Sequence, residues 1–273
     1  MASADLTTSV YVQRLYGGMA TNVEQVNAYI SALSEQILAT LGRQSILPGP
    51  CFEAFDGAGT PAIMLRNWPV QSIQSIVVNN QTVPAAPPNA PNASMAPGWL
   101  LEPALTTPPG RPQMLSLRAY RFGRGVSNVT VAYTAGYQVS NEAAVVPAVA
   151  PFTLNAKQLL GAWGSDVDVV RASGVPLIAM PLGATLIAGQ YSADAGVYAF
   201  AAADAGAAVL LSYGFIPQSL ARACALWVIE EISYSARPGQ KSKSLGGQET
   251  AAFDTTAIPV RVAAALQPFK WVF

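Results

Sequence analysis

The chain has 273 residues, 51% of them hydrophobic and 11% charged, with fifteen basic residues balancing fifteen acidic ones. That apolar share supports a core and excludes a disordered chain, whereas the charged share is less than half of the roughly 25% usual in soluble domains. Zero net charge excludes general attraction to nucleic acid or an anionic membrane, and so neutral a surface is expected to lie largely against other subunits.

The start, MASADLTTS, has no basic region followed by an apolar run, so no signal peptide is expected. Residues 7–16 predict a short helix stopped by Gly17-Gly18, and Thr21 with Glu24 has the spacing of a capping box. Val26, Ile30, Leu33, Ile37 and Leu41 then draw one apolar stripe, which predicts a helix over 22–41 with Gly42 as its stop.

From Cys51 the pattern changes to short β-prone runs, CFEAF, AIMLRNWPV and SIQSIVVNN, and the Asp56-Gly57 turn between the first two reads as a hairpin. Residues 84–112 hold nine prolines, a density that forbids a helix and allows at most an edge strand in a long loop. MLSLRAYRF and SNVTVAYTAGY restore strands.

VTVAYTAGY at 129–137 is echoed by AVLLSYGF at 208–215: each run ends in Tyr, one or two small residues including Gly, then an aromatic. Between them lie short strands and turns, so residues 138–214 are expected to be an inserted β-rich module and 1–137 with 215–273 the host domain. Within the module, 172–193 lacks any charge, but its prolines and glycines make it turn-punctuated β-sequence rather than a membrane span. Pro217 can open a helix over 217–235, apolar nearly all round. QKSKSLGG reads as a flexible basic loop, QETAAFD as a last strand and 259–266 as a short helix before the terminal QPFKWVF.

Candidate chemistry is sparse. With no histidine, imidazole triads, HExxH zinc sites and histidine proton relays are excluded. Cys51 and Cys224 belong to no CxxC pattern and are expected as free thiols rather than a disulfide. Asp166 and Asp168 form a DxD pair that could grip a cation, but period two places both on one strand face, and no third carboxylate or nucleotide loop accompanies them. Glu230 and Glu231 point about 100° apart on a helix and suit no acid/base pair. No glycine-rich stretch has the order of a phosphate loop. Arg118, Arg121 and Arg124, and Lys241 with Lys243, read as solvated surface compatible with a DNA channel. Phe269, Lys270, Trp271, Val272 and Phe273 read either as a strand packed on its own core or as an anchor for a partner's pocket. No catalytic, metal or cofactor site is expected.

In their order, ILATLGRQ, the DGxGT turn, MLRNWPVQSIQSIVVNN, VTVAYTAGY, IPQSLARACALWVIEEI and SKSLGGQETAAFD resemble the head-tail connector (adaptor) proteins of tailed bacteriophages, over about residues 5–80, 125–137 and 213–268. The proline-rich stretch and the 138–214 module depart from the family's compact pattern. The resemblance implies an α+β fold, a helical core with a small antiparallel sheet plus the inserted all-β domain. It also implies a non-enzymatic virion protein at the neck, assembled in the host cytoplasm as a twelvefold ring beneath the portal. Partners would be other copies of the chain, the portal protein, a neck, stopper or tail-completion protein, and genomic DNA passing without sequence-specific binding; no membrane is involved. The 269–273 segment would dock on the portal, Lys241 and Lys243 would face the DNA, and Ile30, Leu33, Ile37, Leu220, Cys224, Trp227 and Val228 would supply packing within and between subunits. The competing reading is a carbohydrate-binding or adhesion module with Trp99, Trp163 and Tyr191 as sugar platforms.

Overall fold

The computed structural model of the chain describes residues 5–17, 22–87, 96–102, 113–235, 242–245, 249–252 and 258–270. Among them, residues up to Gln44 and from Pro217 onward form one compact unit, and Ser45–Ile216 form another.

The first unit is helical. Helix α1 (Ser9–Tyr16) begins where the Thr8 hydroxyl accepts the Tyr11 N–H at 3.2 Å and stops at Gly17, whose φ of 74° is left-handed. Helix α2 (Val23–Leu41) carries the whole Val26–Leu41 stripe on its buried face and ends at Gly42. Its cap is Asn22, which accepts the Glu24 N–H at 3.0 Å; Thr21 of the expected capping box lies outside the described residues.

The β-unit opens with β1 (Gly49–Gly57), β2 (Ala62–Met64), β3 (Val70–Val78), β4 (Gln81–Thr82), β5 (Gly98–Glu102), β6 (Met114–Arg118) and β7 (Gly125–Ala135). These form two sheets, ordered β1-β7-β3-β4 and β2-β6-β5. They share one core of Leu65, Ile76, Leu115, Phe122, Val131, Tyr133 and their neighbours. The Asp56-Gly57 turn is not a hairpin, because β1 pairs with β7 and β2 with β6. The turn is instead tied to the start of β7: Asp56 accepts the Ser127 N–H at 2.6 Å, and Gly57 donates its N–H to Asn128 Oδ1 at 2.8 Å. A Cβ on Gly57 would lie 1.8 Å from the Gly123 carbonyl oxygen, so only glycine fits there. In the proline-rich stretch β5 lies at the edge of its sheet: it pairs with β6, and on its other side Trp99 accepts the Ala86 N–H at 2.9 Å and donates to the Pro84 carbonyl at 3.0 Å; residues 88–95 and 103–112 lie outside the described residues.

Strands β8 (Gln138–Val145), β9 (Thr153–Asn155), β10 (Gly161–Arg171), β11 (Ile178–Ala179), β12 (Gln190–Asp194), β13 (Val197–Phe200) and β14 (Ala208–Pro217) complete the unit. They form sheets β10-β14-β8 and β11-β12-β13-β9. Gln138 faces Gly214, so this stretch leaves and returns on adjacent antiparallel strands. The β12–β13 hairpin turns through Ala195 and Gly196, both at positive φ (48° and 84°), the two-residue turn whose twist suits a hairpin.

The chain returns to the helical unit with α3 (Gln218–Ser235), the antiparallel pair β15 (Ser242–Leu245) and β16 (Glu249–Ala252), and α4 (Val260–Leu266). Helix α3 is contacted by α1, α2 and α4, as its apolar circumference requires. The SKSL stretch, expected as a loop, is paired backbone.

The expected helical core with a small sheet is overturned. Among the described residues the fold is 40% strand and 26% helical, with four sheets of three or four strands besides the two-stranded pair. Residues 45–135 account for the difference, since their two sheets enclose a core with no helix in it.

Candidate functional site

The two echoing runs carry the same polar device. On β1, Glu53 faces Val131 of β7 and reaches diagonally to Tyr133, whose hydroxyl donates to Glu53 Oε1 at 2.5 Å. On β8, Glu142 faces Leu211 of β14 and reaches diagonally to Tyr213, whose hydroxyl donates to Glu142 Oε2 at 2.8 Å. Each pair then fastens a passing loop through two consecutive peptide N–H groups. Arg66 donates to Glu53 at 3.3 Å and Asn67 to the Tyr133 hydroxyl at 3.1 Å; Lys157 donates to Glu142 at 2.9 Å and Gln158 to the Tyr213 hydroxyl at 3.2 Å. A tyrosine hydroxyl has one donor and two acceptor positions, so it can serve both partners at once. Burial, followed by hydrogen bonding to the carboxylate, pushes the Tyr133 hydroxyl well above its ordinary range and the Tyr213 hydroxyl up to about 12. Both tyrosines are therefore neutral donors at physiological pH, and each cluster fastens a loop.

A third cluster surrounds the DxD pair. Asp166, half-buried on β10, accepts from the Tyr191 hydroxyl at 2.6 Å. The Trp163 indole N–H donates to the Tyr198 hydroxyl at 3.2 Å. Desolvation raises the Asp166 carboxyl above its usual value, and burial raises Tyr191 and Tyr198 too. Asp168 is exposed, and among the described residues no third acidic, thiol or imidazole group joins the pair. Of the three rings suggested as sugar platforms, Tyr191 is only 2% exposed and stacks on Tyr198 at 6.0 Å between centroids, and Trp99 packs against the core of the first two sheets. They do not form a common open face.

A buried carboxylate also fixes the uncharged 172–188 loop at both ends. Asp204, 2% exposed, binds the Arg171 guanidinium and accepts the Gly189 N–H at 2.9 Å. The loop between these ties displays Val175, Ile178, Leu182 and Ile187, each more than half exposed.

In the helical unit, Ile30, Leu33, Ile37, Leu220, Cys224, Trp227 and Val228 are all at most 6% exposed within a single chain. They hold that unit together and have no surface to give a neighbouring subunit. Ser34 accepts the Leu6 N–H at 2.9 Å and lies 3.7 Å from the Cys224 sulfur, whose thiol burial pushes up to about 11. Cys51, half-buried in the β-unit, and Cys224 are both free thiols. Glu230 pairs with Arg261 at 3.2 Å on the surface, clear of any acid/base arrangement. Phe269 is 7% exposed, so the first aromatic of the terminal segment is buried within the chain, while Lys270 is partly exposed. Trp271, Val272, Phe273 and Lys241 lie outside the described residues, as does the side chain of Lys243.

The Glu53 and Glu142 clusters and the Asp204 tie were not anticipated from sequence. The readable signal was a glutamate within the strand that pairs with each echoing tyrosine run. No family model matches the chain, and no curated protein is detectably similar to it.

Proposed function

We propose that the protein is a ring-forming structural subunit of a tailed-bacteriophage neck, a head-tail connector that joins the portal to the next neck or tail component and lets DNA pass. The observation that carries this reading is the surface. In a chain only 11% charged, nineteen large apolar residues among those described are exposed, ten of them within residues 138–214. Scattered apolar exposure is ordinary, but its concentration on one charge-poor module favours a surface that is covered in an assembly. The order of the sequence pieces that resemble connectors supplies the identity of that assembly, and the exposed apolar residues of 138–214 are then its contacts with neighbours in the neck.

The portal anchor narrows to residues 270–273, because Phe269 is buried within the chain. If 270–273 act as an anchor, their removal is expected to leave the thermal unfolding of the free chain unchanged. The same truncation is expected to abolish binding to DNA-filled heads that present a bare portal, as followed by electron microscopy. Unimpaired binding by the folded truncation would remove the anchor, and failure of the full-length chain to bind such heads would overturn the connector reading itself.

A further inference from the structure

The echo between the two tyrosine runs extends to the whole β-unit, which is one strand arrangement built twice. Sheet β1-β7-β3 has its counterpart in β8-β14-β10, and sheet β2-β6-β5 in β9-β13-β12, with the strands taken in the same chain order. The smaller pieces agree as well. Val83 donates its N–H to the Ile76 carbonyl at 2.9 Å as Leu177 does to the Val169 carbonyl at 2.8 Å, and both side chains are buried. Ala85 then bridges Trp99 in parallel, where β11 pairs in parallel with β12. Residues 49–135 and 138–217 are therefore two repeats, and what differs between them is not required by the fold.

Two such differences lie on the surface. After the buried Val83 or Leu177, each repeat makes the same crossover to its next strand. The first repeat crosses with 84–97, which contain no valine, leucine or isoleucine, whereas the second crosses with 178–189, which contain Ile178, Leu182, Leu186 and Ile187. Ile178, Leu182 and Ile187 are each more than 60% exposed. Their loop has no charge and is closed at its base on the Asp204 carboxylate, so these side chains are presented on one fixed segment.

The other difference is on the outward face of the β1-β7-β3 sheet. By register, Phe52, Ala132 and Ser75 form one row across it and Ala54, Thr130 and Val77 the next, on the side opposite to the core residues Val129, Val131 and Tyr133. Neither row contains a charge, and Phe52 is 74% exposed. In the second repeat the same face is covered from within the chain. Gly214, one residue after the shared tyrosine, stands where the first repeat has Thr134; a Cβ on Gly214 would lie 2.5 Å from Pro48 Cδ, and one on Gly164 2.4 Å from Leu47 Cδ2. An apolar segment of this chain thus already packs on one of the two equivalent faces, and the rows around Phe52 leave the other open.

We infer that the 178–187 loop of one copy of this chain docks on the outward β1-β7-β3 face of a second copy. Both surfaces are uncharged, so the contact desolvates no charge, and the aliphatic side chains with Phe52 supply the area from which water is removed. The contact joins unlike surfaces, so each pair keeps one free loop and one free face. Such head-to-tail contacts propagate and close into a ring when the rotation allows. This inference rests on the ring-forming reading above and specifies which surfaces make the ring.

The test uses two full-length variants, Leu182→Asp with Ile187→Asp in the loop and Phe52→Asp with Ala54→Asp on the face. All four positions are exposed, and circular dichroism with urea unfolding establishes that both variants are folded. If either aspartate pair unfolds the chain, serine at the same positions gives the same readout. Association is read by sedimentation velocity for the free chains and by electron microscopy on heads with a bare portal. Each variant is expected to associate at least about thirtyfold more weakly than the parent, the scale set by loss of one central apolar anchor. Mixing the two variants leaves one intact loop and one intact face per pair, so dimers form and grow no further. Assembly that both substitutions leave unchanged, a loss in only one variant, or losses that mixing does not restore would overturn this contact while leaving the ring intact. A parent chain that stays monomeric both alone and on the heads would overturn the ring and the contact together.

Discussion

The tyrosine hydroxyls at positions 133 and 213 organise this chain at the scale of single residues. Glu53 is 8% exposed and accepts from the Tyr133 hydroxyl, the Arg66 peptide N–H and the Asn67 side-chain amide, while the Asn67 peptide N–H donates to the Tyr133 hydroxyl. Tyr133→Phe would remove one donor from a buried carboxylate and leave the Asn67 N–H unpaired, at a cost of about 1–3 kcal/mol in urea unfolding. Tyr213→Phe is expected to cost less, since Glu142 is only half-buried. Four of the buried tyrosines, Tyr133, Tyr191, Tyr198 and Tyr213, also set the alkaline limit. Their folded values are raised, so the folded state keeps protons that the unfolded chain releases above about pH 10. Stability is then full below about pH 10 and falls as pH climbs through the Tyr213 value of about 12. A urea midpoint unchanged between pH 9 and 11.5, about the range over which free tyrosine titrates, would contradict this. Asp166 has the opposite sense for an acid: its raised value means that ionisation at neutral pH costs folding free energy, which is regained as pH falls toward the usual carboxylate range. Asp166→Asn should therefore raise the neutral-pH midpoint and flatten its rise on acidification.

At the scale of elements, what could be read from sequence divides by the range of the interactions involved. The Val26–Leu41 stripe, the Gly17 and Gly42 stops and the apolar run from Leu220 are local patterns, and each lies on a helix. Strand partners are long-range: nothing near Asp56 reveals that the turn it opens is bonded to Ser127 and Asn128. The same limit hid the two-sheet core of 45–135, the pairing of Ser242–Leu245, and the glutamates that meet Tyr133 and Tyr213. Gly136 marks the junction of the two echoing parts. Its φ is 142°, and a Cβ there would lie 2.4 Å from the backbone of Leu47 and Pro48. Gly136→Ala is expected to cost at least about 1–3 kcal/mol from backbone strain, measured by chemical unfolding. In the helical unit Trp227 is 1% exposed and its indole N–H has no hydrogen-bond partner among the described residues. Trp227→Asp places an unpaired charge among α1, α2 and α4 and should unfold that unit, seen as loss of helical circular dichroism before any question of assembly arises.

For the whole molecule, low charge has a more specific meaning than a surface withheld from water. Within the β-unit, some charges are sealed into structural ties, and basic residues outnumber acidic ones over 45–137 while acidic ones outnumber basic over 138–216, so overall neutrality coexists with an internal imbalance. Exposed apolar residues gather on the part that is acidic. Both features suit a subunit that is stable alone but finished only by its neighbours. The most direct measurement is native mass spectrometry of the full-length chain, alone and bound to portal. A ring-forming connector gives a closed oligomer of one size, whereas a monomer at every concentration, with and without portal, would contradict the ring.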